Sequence, residues 1–460
     1  MKRSVLLFTL SLLLAPVVVA LDWGGSLSTT QILQSVEEGS DLTPFVNTQR
    51  LNMFLNTPLG ERWRFEAQGA VLLNGNPLLI AADLERFYFQ RRLTPNQGEL
   101  RSVTTRYGRQ RVTDPGGLYV SQVVDGVSLT LRYPQFELAM AGGYTGFINK
   151  EFGPASLTLR DSGDLSDASI ITGPSRLIGQ VRGRLPQLVA GQNLSLAFTF
   201  QDDLRDPSSV VQPGTTPDQL NDRGQDPGGL LDTQYLQVVL DGSIPLGNAP
   251  GNLFYQGAYV LNTGRTLSLV EDRTVDGDRS FQYRPILAHM VQLEAQYFLP
   301  QFYRTAAGLS LSFSSGDTSY DGFVEGNTSS RSTMFTPISA GGSGLVFSLD
   351  SGNATIVELF YSMRPLAGQG DSVLDTMQVQ ASWLSFFRSA GSGAVSAGII
   401  DSSTETGYLG SELDVAVRLR PLSDVGVGLS GGLFFANSNA LAEGAPPVAG
   451  LIRLDGSISF

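Results

Sequence analysis

The sequence predicts an all-β fold: a transmembrane antiparallel β-barrel of about eighteen strands, with short periplasmic turns and long extracellular loops. Three observations predict it. Apolar and polar residues alternate in segment after segment; short proline-bearing links follow every second segment; and only 16% of the 460 residues are charged, although just 42% are hydrophobic. Soluble domains carry about 25% charged residues. A wall with one face in lipid and the other in water lowers charge without making the chain apolar throughout.

The first twenty residues stand apart. Met1-Lys2-Arg3 is a basic start, Ser4–Leu14 an apolar run, and Val18-Val19-Ala20 a small-residue cleavage site. That order describes a secretory signal peptide, too short for a spanning helix. The expected organisation is therefore a signal peptide over 1–20 and an outer-membrane barrel over 21–460, in a Gram-negative-type envelope.

The strands follow in order, near 22–34, 43–57, 60–72, 80–93, 100–111, 121–133, 135–146, 175–185, 191–203, 232–244, 251–263, 284–299, 301–315, 353–364, 373–388, 409–420, 422–436 and 449–460. Leu194, Leu196, Phe198 and Phe200 alternate with Asn193, Ser195, Thr199 and Gln201, and Leu413, Val415, Val417 and Leu419 with Glu412, Asp414, Arg418 and Arg420. Successive side chains on a strand point to opposite faces, so each segment has an oily and a wet side. Prolines 58, 95, 134, 186, 245, 300, 365 and 421 mark the short links; the largest intervening links are 145–174, 204–231 and 315–352. This phase puts the short turns on the periplasmic side. Trp23 and Trp63 then fall near periplasmic strand ends and Trp383 near an extracellular end, where aromatic girdles form.

The opposite parity faces the lumen. It includes Arg62, Arg64, Arg176, Arg182, Arg184, Glu294, Glu358, Glu412, Asp414, Arg418 and Arg420, while on 100–111 parity alone does not say whether Arg106 or Arg109 and Arg111 face inward. Arg109 and Arg111 share a strand with Arg106 but not its parity, and a bulge at Gly108 would bring them to the same face. The basic residues are 29 Arg and two Lys, against 43 acids, for a formal charge of −12. Eight Arg fall between 80 and 135, while Asp161, Asp164, Asp167, Asp218, Asp222, Asp226, Glu271, Asp272, Asp276 and Asp278 crowd the long links. An Arg-lined constriction below an acidic mouth follows, and Arg rings favour carboxylate and phosphate groups. The balancing reading is inward Arg paired with neighbouring acids, stabilising the wall.

Tyr107-Gly108-Arg109-Gln110 followed by Val124-Asp125-Gly126-Val127 resembles the strand–loop–strand "GRQ … FDGV" of alginate-export-type outer-membrane proteins. Tyr408-Leu409-Gly410-Ser411-Glu412-Leu413-Asp414 with Phe434-Phe435 resembles that family's "LGxExD … F" segment. The resemblance implies an eighteen-stranded barrel with an Arg-rich lumen, in a superfamily of substrate-specific porins. It also implies a terminal aromatic, Phe460, recognised by the barrel-assembly machinery.

Other chemistry finds little support. With no Cys and one His there is no thiolate metal site, Cys nucleophile or disulfide framework. Gly426, Gly428 and Gly431 match GxGxxG but lie in an alternating strand that opens no helix. The Asp272–Asp278 run lacks the bidentate Glu of a calcium loop, where Tyr283 stands instead. His289 shares the parity of Leu287 and Val291 and has no fixed partner for catalysis. Asp202 and Asp203 project to opposite faces, so they cannot clasp one substrate. The acidic charge argues against nucleic acid. The expectation is a non-enzymatic passive channel without cofactor or metal, for hydrophilic, anionic or saccharide solutes, in contact with outer-membrane lipid and lipopolysaccharide. The competing expectation is a closed barrel serving as adhesin or receptor through its long loops.

Overall fold

A computed structural model describes residues 21–34, 45–75, 78–153, 158, 161, 169–189, 191–205, 230–246, 250–272, 278–318, 331–339, 341–368, 373–397, 399–401 and 403–460. The signal-peptide segment and Asp164, Asp167, Asp218, Asp222, Asp226 and Asp276 lie outside the described residues.

Eighteen strands run in chain order: β1 (Asp22–Gln34), β2 (Phe45–Leu59), β3 (Trp63–Gly75), β4 (Leu78–Leu93), β5 (Ser102–Thr113), β6 (Ser121–Arg132), β7 (Glu137–Tyr144), β8 (Arg176–Val189), β9 (Gln192–Asp203), β10 (Leu231–Pro245), β11 (Asn252–Asp272), β12 (Asp278–Leu299), β13 (Thr305–Ser314), β14 (Ala354–Met363), β15 (Gln378–Arg388), β16 (Tyr408–Leu422), β17 (Val425–Ala436) and β18 (Val448–Ser459). Each pairs antiparallel with its chain neighbours, and β1 pairs with β18, so the sheet closes. Closure satisfies every ladder without a free edge, the condition for a sheet in lipid. Gly25 and Phe460 exchange backbone hydrogen bonds of 2.9 and 3.0 Å and extend the seam.

The parity read from the alternating segments is the observed one. Leu196, Phe198, Leu236, Leu413, Val415, Ile452 and Leu454 are exposed on the outer face, while Thr199, Tyr235 and Glu412 on the opposite parity are buried inside. His289 is exposed among outward Leu287 and Leu293, its ring 5.7 Å from that of Phe313. Among the described residues no helix is long and apolar enough to cross a membrane. The exposed apolar band is carried by strands alone.

Several boundaries differ from expectation. β11 and β12 run far beyond 263 and before 284, pairing Arg265 with Pro285 and Asp272 with Asp278, so Glu271, Asp272 and Asp278 belong to a hairpin rather than a loop. Polar residues there extend the ladder because cross-strand hydrogen bonding needs no oily face above a wall. Pro58, Pro186, Pro245 and Pro421 sit within the last residues of their strands, not in the turns. Trp383 lies mid-strand in β15, opposite Leu359 and Leu413, instead of near an end.

Two departures from a plain cylinder position the interior. The β4–β5 ladder stops at Phe87–Arg109, and the β6–β7 ladder at Asp125–Tyr144, whereas β5 and β6 stay paired to Thr113–Ser121. Above that rung the β5–β6 hairpin leaves the wall and leans into the lumen. Gly108 sits at the bend with φ 122°, where an added Cβ would stand 2.2 Å from the Phe87 carbonyl. Gly126, its register partner, leaves no room either: a Cβ would lie 1.9 Å from the Gly142 carbonyl. Only glycine tolerates such conformations and contacts. The segment after β13 also turns inward, and its Phe335 and Ile338 pack with Val112, Tyr119, Val124, Tyr235, Val260 and Ala288 in one buried cluster.

Candidate functional site

The lumen is crossed by three chain segments, each fastened by polar groups. Residues 114–120 form the tip of the inward hairpin. Asp114 accepts backbone N–H bonds from Gly116, Leu118, Tyr119 and Val120 at 3.0–3.2 Å and a side-chain bond from Gln237 on β10 at 2.8 Å. Tyr119 stacks on Tyr235 with ring centroids 4.6 Å apart, and its hydroxyl lies 2.9 Å from Thr199 Oγ1. Burial pushes the Tyr119 phenol well above its ordinary pKa, so it stays neutral. The tip thus reaches the wall at β9 and β10.

Residues 331–339 rest on that tip. Ile338 and Ser339 both donate N–H to the Tyr119 carbonyl, at 2.7 and 3.0 Å, and Tyr235 donates its hydroxyl to the Thr336 carbonyl at 2.6 Å. Residues 343–349 then turn to the far wall. There Glu412 on β16 accepts N–H bonds from Leu345, Val346 and Phe347 at 2.5, 2.9 and 2.7 Å. A carboxylate wholly removed from water needs such donors. Phe347 stacks on Phe434, centroids 4.2 Å apart, and completes a second buried cluster with Phe386 and Leu384.

Around these segments the inner wall carries charge in two arcs. Arg64 of β3, Arg86 and Arg92 of β4, Arg106 of β5, Arg132 of β6, and Arg182 and Arg184 of β8 share the inward parity. Asp241 of β10, Glu294 of β12, Glu358 of β14 and Asp414 of β16 share it on the other side. Some members are paired: Arg86 with Glu66 at 3.1 Å and Arg132 with Glu137 at 2.8 Å. Arg64, Arg92, Arg106, Arg182, Arg184, Arg418 and Arg420, and the acids Asp241, Glu294, Glu358 and Asp414, make no ion pair among the described residues. Beneath the Glu412-held segment a cavity of about 360 Å³ is lined by Glu358, Asp414, Arg418, Arg453 and Asp455. A second, of about 370 Å³, lies against Asn193, Asp241, Glu294 and Gln296.

The inward set from the sequence is therefore spread over both arcs and not gathered in one ring. Four of its members fall elsewhere. Arg62 lies in the turn between β2 and β3. Arg176 is 2% exposed and locked with Arg205 against Asp161 and Asp203, at 2.5–3.4 Å, so it offers no charge to a solute. Arg109 and Arg111 keep the outward parity, because both ladders of β5 run through Gly108 without a bulge. Arg109 instead bridges Asp83 and Asp125 and donates to the Phe147 carbonyl at 3.0 Å, and Arg111 donates to Ser121. Sequence reasoning missed the buried anchors Asp114 and Tyr119. The available signals were the facing glycines 108 and 126 and a tyrosine beside a lone acid in a short link.

No family model matches the sequence, and no curated protein matches it. Solved structures do match its fold. OccAB1 of Acinetobacter baumannii superposes with a TM-score of 0.57 at 10% identity, over 96% of each chain. OccK5 (OpdH) of Pseudomonas aeruginosa gives 0.53 at 11%, covering 95% of this chain and 98% of that one. The outer membrane protein OprD from Pseudomonas aeruginosa gives 0.53 at 10%, covering 96% and 93%. The alginate-export-type resemblance is not supported by these likenesses. The chain has the closed eighteen-stranded antiparallel fold of outer-membrane porins of the OprD and Occ kind.

Proposed function

We propose that this barrel is a passive outer-membrane channel for hydrophilic solutes, with a preference for anions. The observation that carries the reading is the charge on its inner wall: a basic arc on β3–β8 faces Asp241, Glu294, Glu358 and Asp414 on β10–β16, where Arg418 and Arg420 also point inward, and chain segments narrow the space between. Opposed arcs set a field across a low-dielectric tube and orient charged solutes. The unpaired inward Arg outnumber the unpaired acids, so anions are the favoured partners. No catalytic constellation is needed for this role, and similar folds are those of outer-membrane porins. The OprD- and Occ-type likeness in fold supports a porin-like channel, while the anion preference rests on the side chains of this chain.

The test is reconstitution in planar bilayers. Stepwise openings with a reversal potential on the anion side in a salt gradient are expected. Replacing Arg64, Arg182, Arg184 and Arg418 together with Gln should move the reversal potential toward zero. No openings at any voltage would overturn the channel, and a cation preference of the native barrel would overturn the selectivity.

A further inference from the structure

Beside the basic arc, on β2, one aromatic side chain stands at a lumen-facing position among polar neighbours. The inward residues of β2 from Thr48 onward are Thr48, Arg50, Asn52, Phe54 and Asn56, paired with Gly24 and Ser26 on β1 and with Glu66 and Gln68 on β3. Phe54 is the one aromatic among these, and Pro58 follows on the same face at the strand's end. Its ring lies where a Cβ on Gly24 would be, 2.9 Å from that position, so one side of the ring is seated on bare backbone. Even so Phe54 is 43% exposed, and it borders a cavity of about 930 Å³.

The remaining lining is mostly polar, with Met53 and Phe460 as further apolar members and Asp424 as one further negative charge. Arg50 pairs with Glu85 and Arg86 with Glu66, so the four charges cancel within the wall. Ser26, Asn52, Gln68 and Glu66 supply short hydrogen-bonding groups around the ring. An open aromatic face presents negative charge density, which attracts the weakly positive C–H bonds of a sugar ring. The surrounding amides, hydroxyls and carboxylate match the hydroxyl rim of the same ring, while an anion gains nothing from charges already satisfied. We infer that this cavity is a saccharide subsite in which Phe54 is the stacking platform for a pyranose ring. The inference rests on the channel reading for its route of access.

Isothermal titration of the detergent-purified barrel with maltose tests it directly. Binding in the native protein is expected, weakened tenfold or more by Phe54→Ala and retained by Phe54→Trp. Asn52→Ala should weaken it less, and serves if Phe54→Ala fails to fold. Glucuronate should bind no more tightly than glucose, and polyethylene glycol of maltose size should give no binding heat. Absence of maltose binding to the native barrel, or equal affinity in Phe54→Ala, would overturn the subsite. Maltose binding by a barrel that never conducts would overturn the channel and leave the subsite standing.

Discussion

Arg109 and Asp125 are register partners joined by a two-pronged ion pair, 2.9 Å in each arm, at the rung where β5 and β6 leave the wall. Asp83 of β4 holds the same guanidinium from the other side and also accepts the Asn149 N–H at 2.6 Å. The pair closes the place where two ladders end. Removing one partner of such a shielded pair strands the other, at about 3–5 kcal/mol. Arg109→Leu should therefore lower the thermal unfolding midpoint of the refolded barrel, read from the heat-induced shift in gel mobility. An unchanged midpoint would show that the hairpin is held by its tip alone.

Glu412 is the fastening of the 343–349 segment. Glu412→Ala removes the acceptor of three backbone N–H groups, each charge-assisted bond worth about 1.5–3 kcal/mol singly and less in sum. Because the chain has no cysteine, Ser343→Cys introduces a single thiol. Its labelling by a water-soluble maleimide should rise at least tenfold in the Glu412→Ala background, with noisier single-channel currents. Equal labelling rates would contradict the fastening.

Gly108 permits the bend. Gly108→Val adds a Cβ within 2.2 Å of a carbonyl at φ 122°, so the hairpin must straighten or the barrel must fail to close. The expected result is a severe loss of folded yield, with Gly108→Ala intermediate. Adding Gly126→Ala to Gly108→Ala should cost less than the sum of the two single changes, since either alone already disturbs the same rung.

Tyr119 is buried in the lumen between the hairpin tip and β10. Tyr119→Ala should raise single-channel conductance, whereas Tyr119→Phe, losing only the contact with Thr199, should leave it unchanged at a stability cost of about 1 kcal/mol. A conductance unaltered by Tyr119→Ala would place the narrowest point elsewhere.

The strands were legible because period-two alternation is a local property: Leu196 and Phe198, or Ile452 and Leu454, declare their face to any reader of the sequence. The inward segments were not, because what holds them is distant. Nothing near Glu412 announces that its carboxylate will meet Leu345, and nothing near Asp114 names Gln237. Arg176 illustrates the same limit. Its parity is inward, yet Asp161 and Arg205 from two links and Asp203 at the end of β9 converge on it and bury it. Arg109 and Arg111 were legible in parity alone, since they alternate with Arg106 and share the face of Tyr107. The bulge expected at Gly108 is absent, so the two do not turn to the face of Arg106, and the glycine there serves a bend of the whole hairpin.

The inward hairpin also interrupts the wall. Above the Arg109–Asp125 rung β5 and β6 have left both neighbours, and among the described residues no ladder joins β4 to β7 in their place. What spans the opening is the Asp83 carboxylate, which holds Arg109 and accepts the Asn149 N–H. On that side the rim depends on one charged cluster where everywhere else it has a backbone ladder.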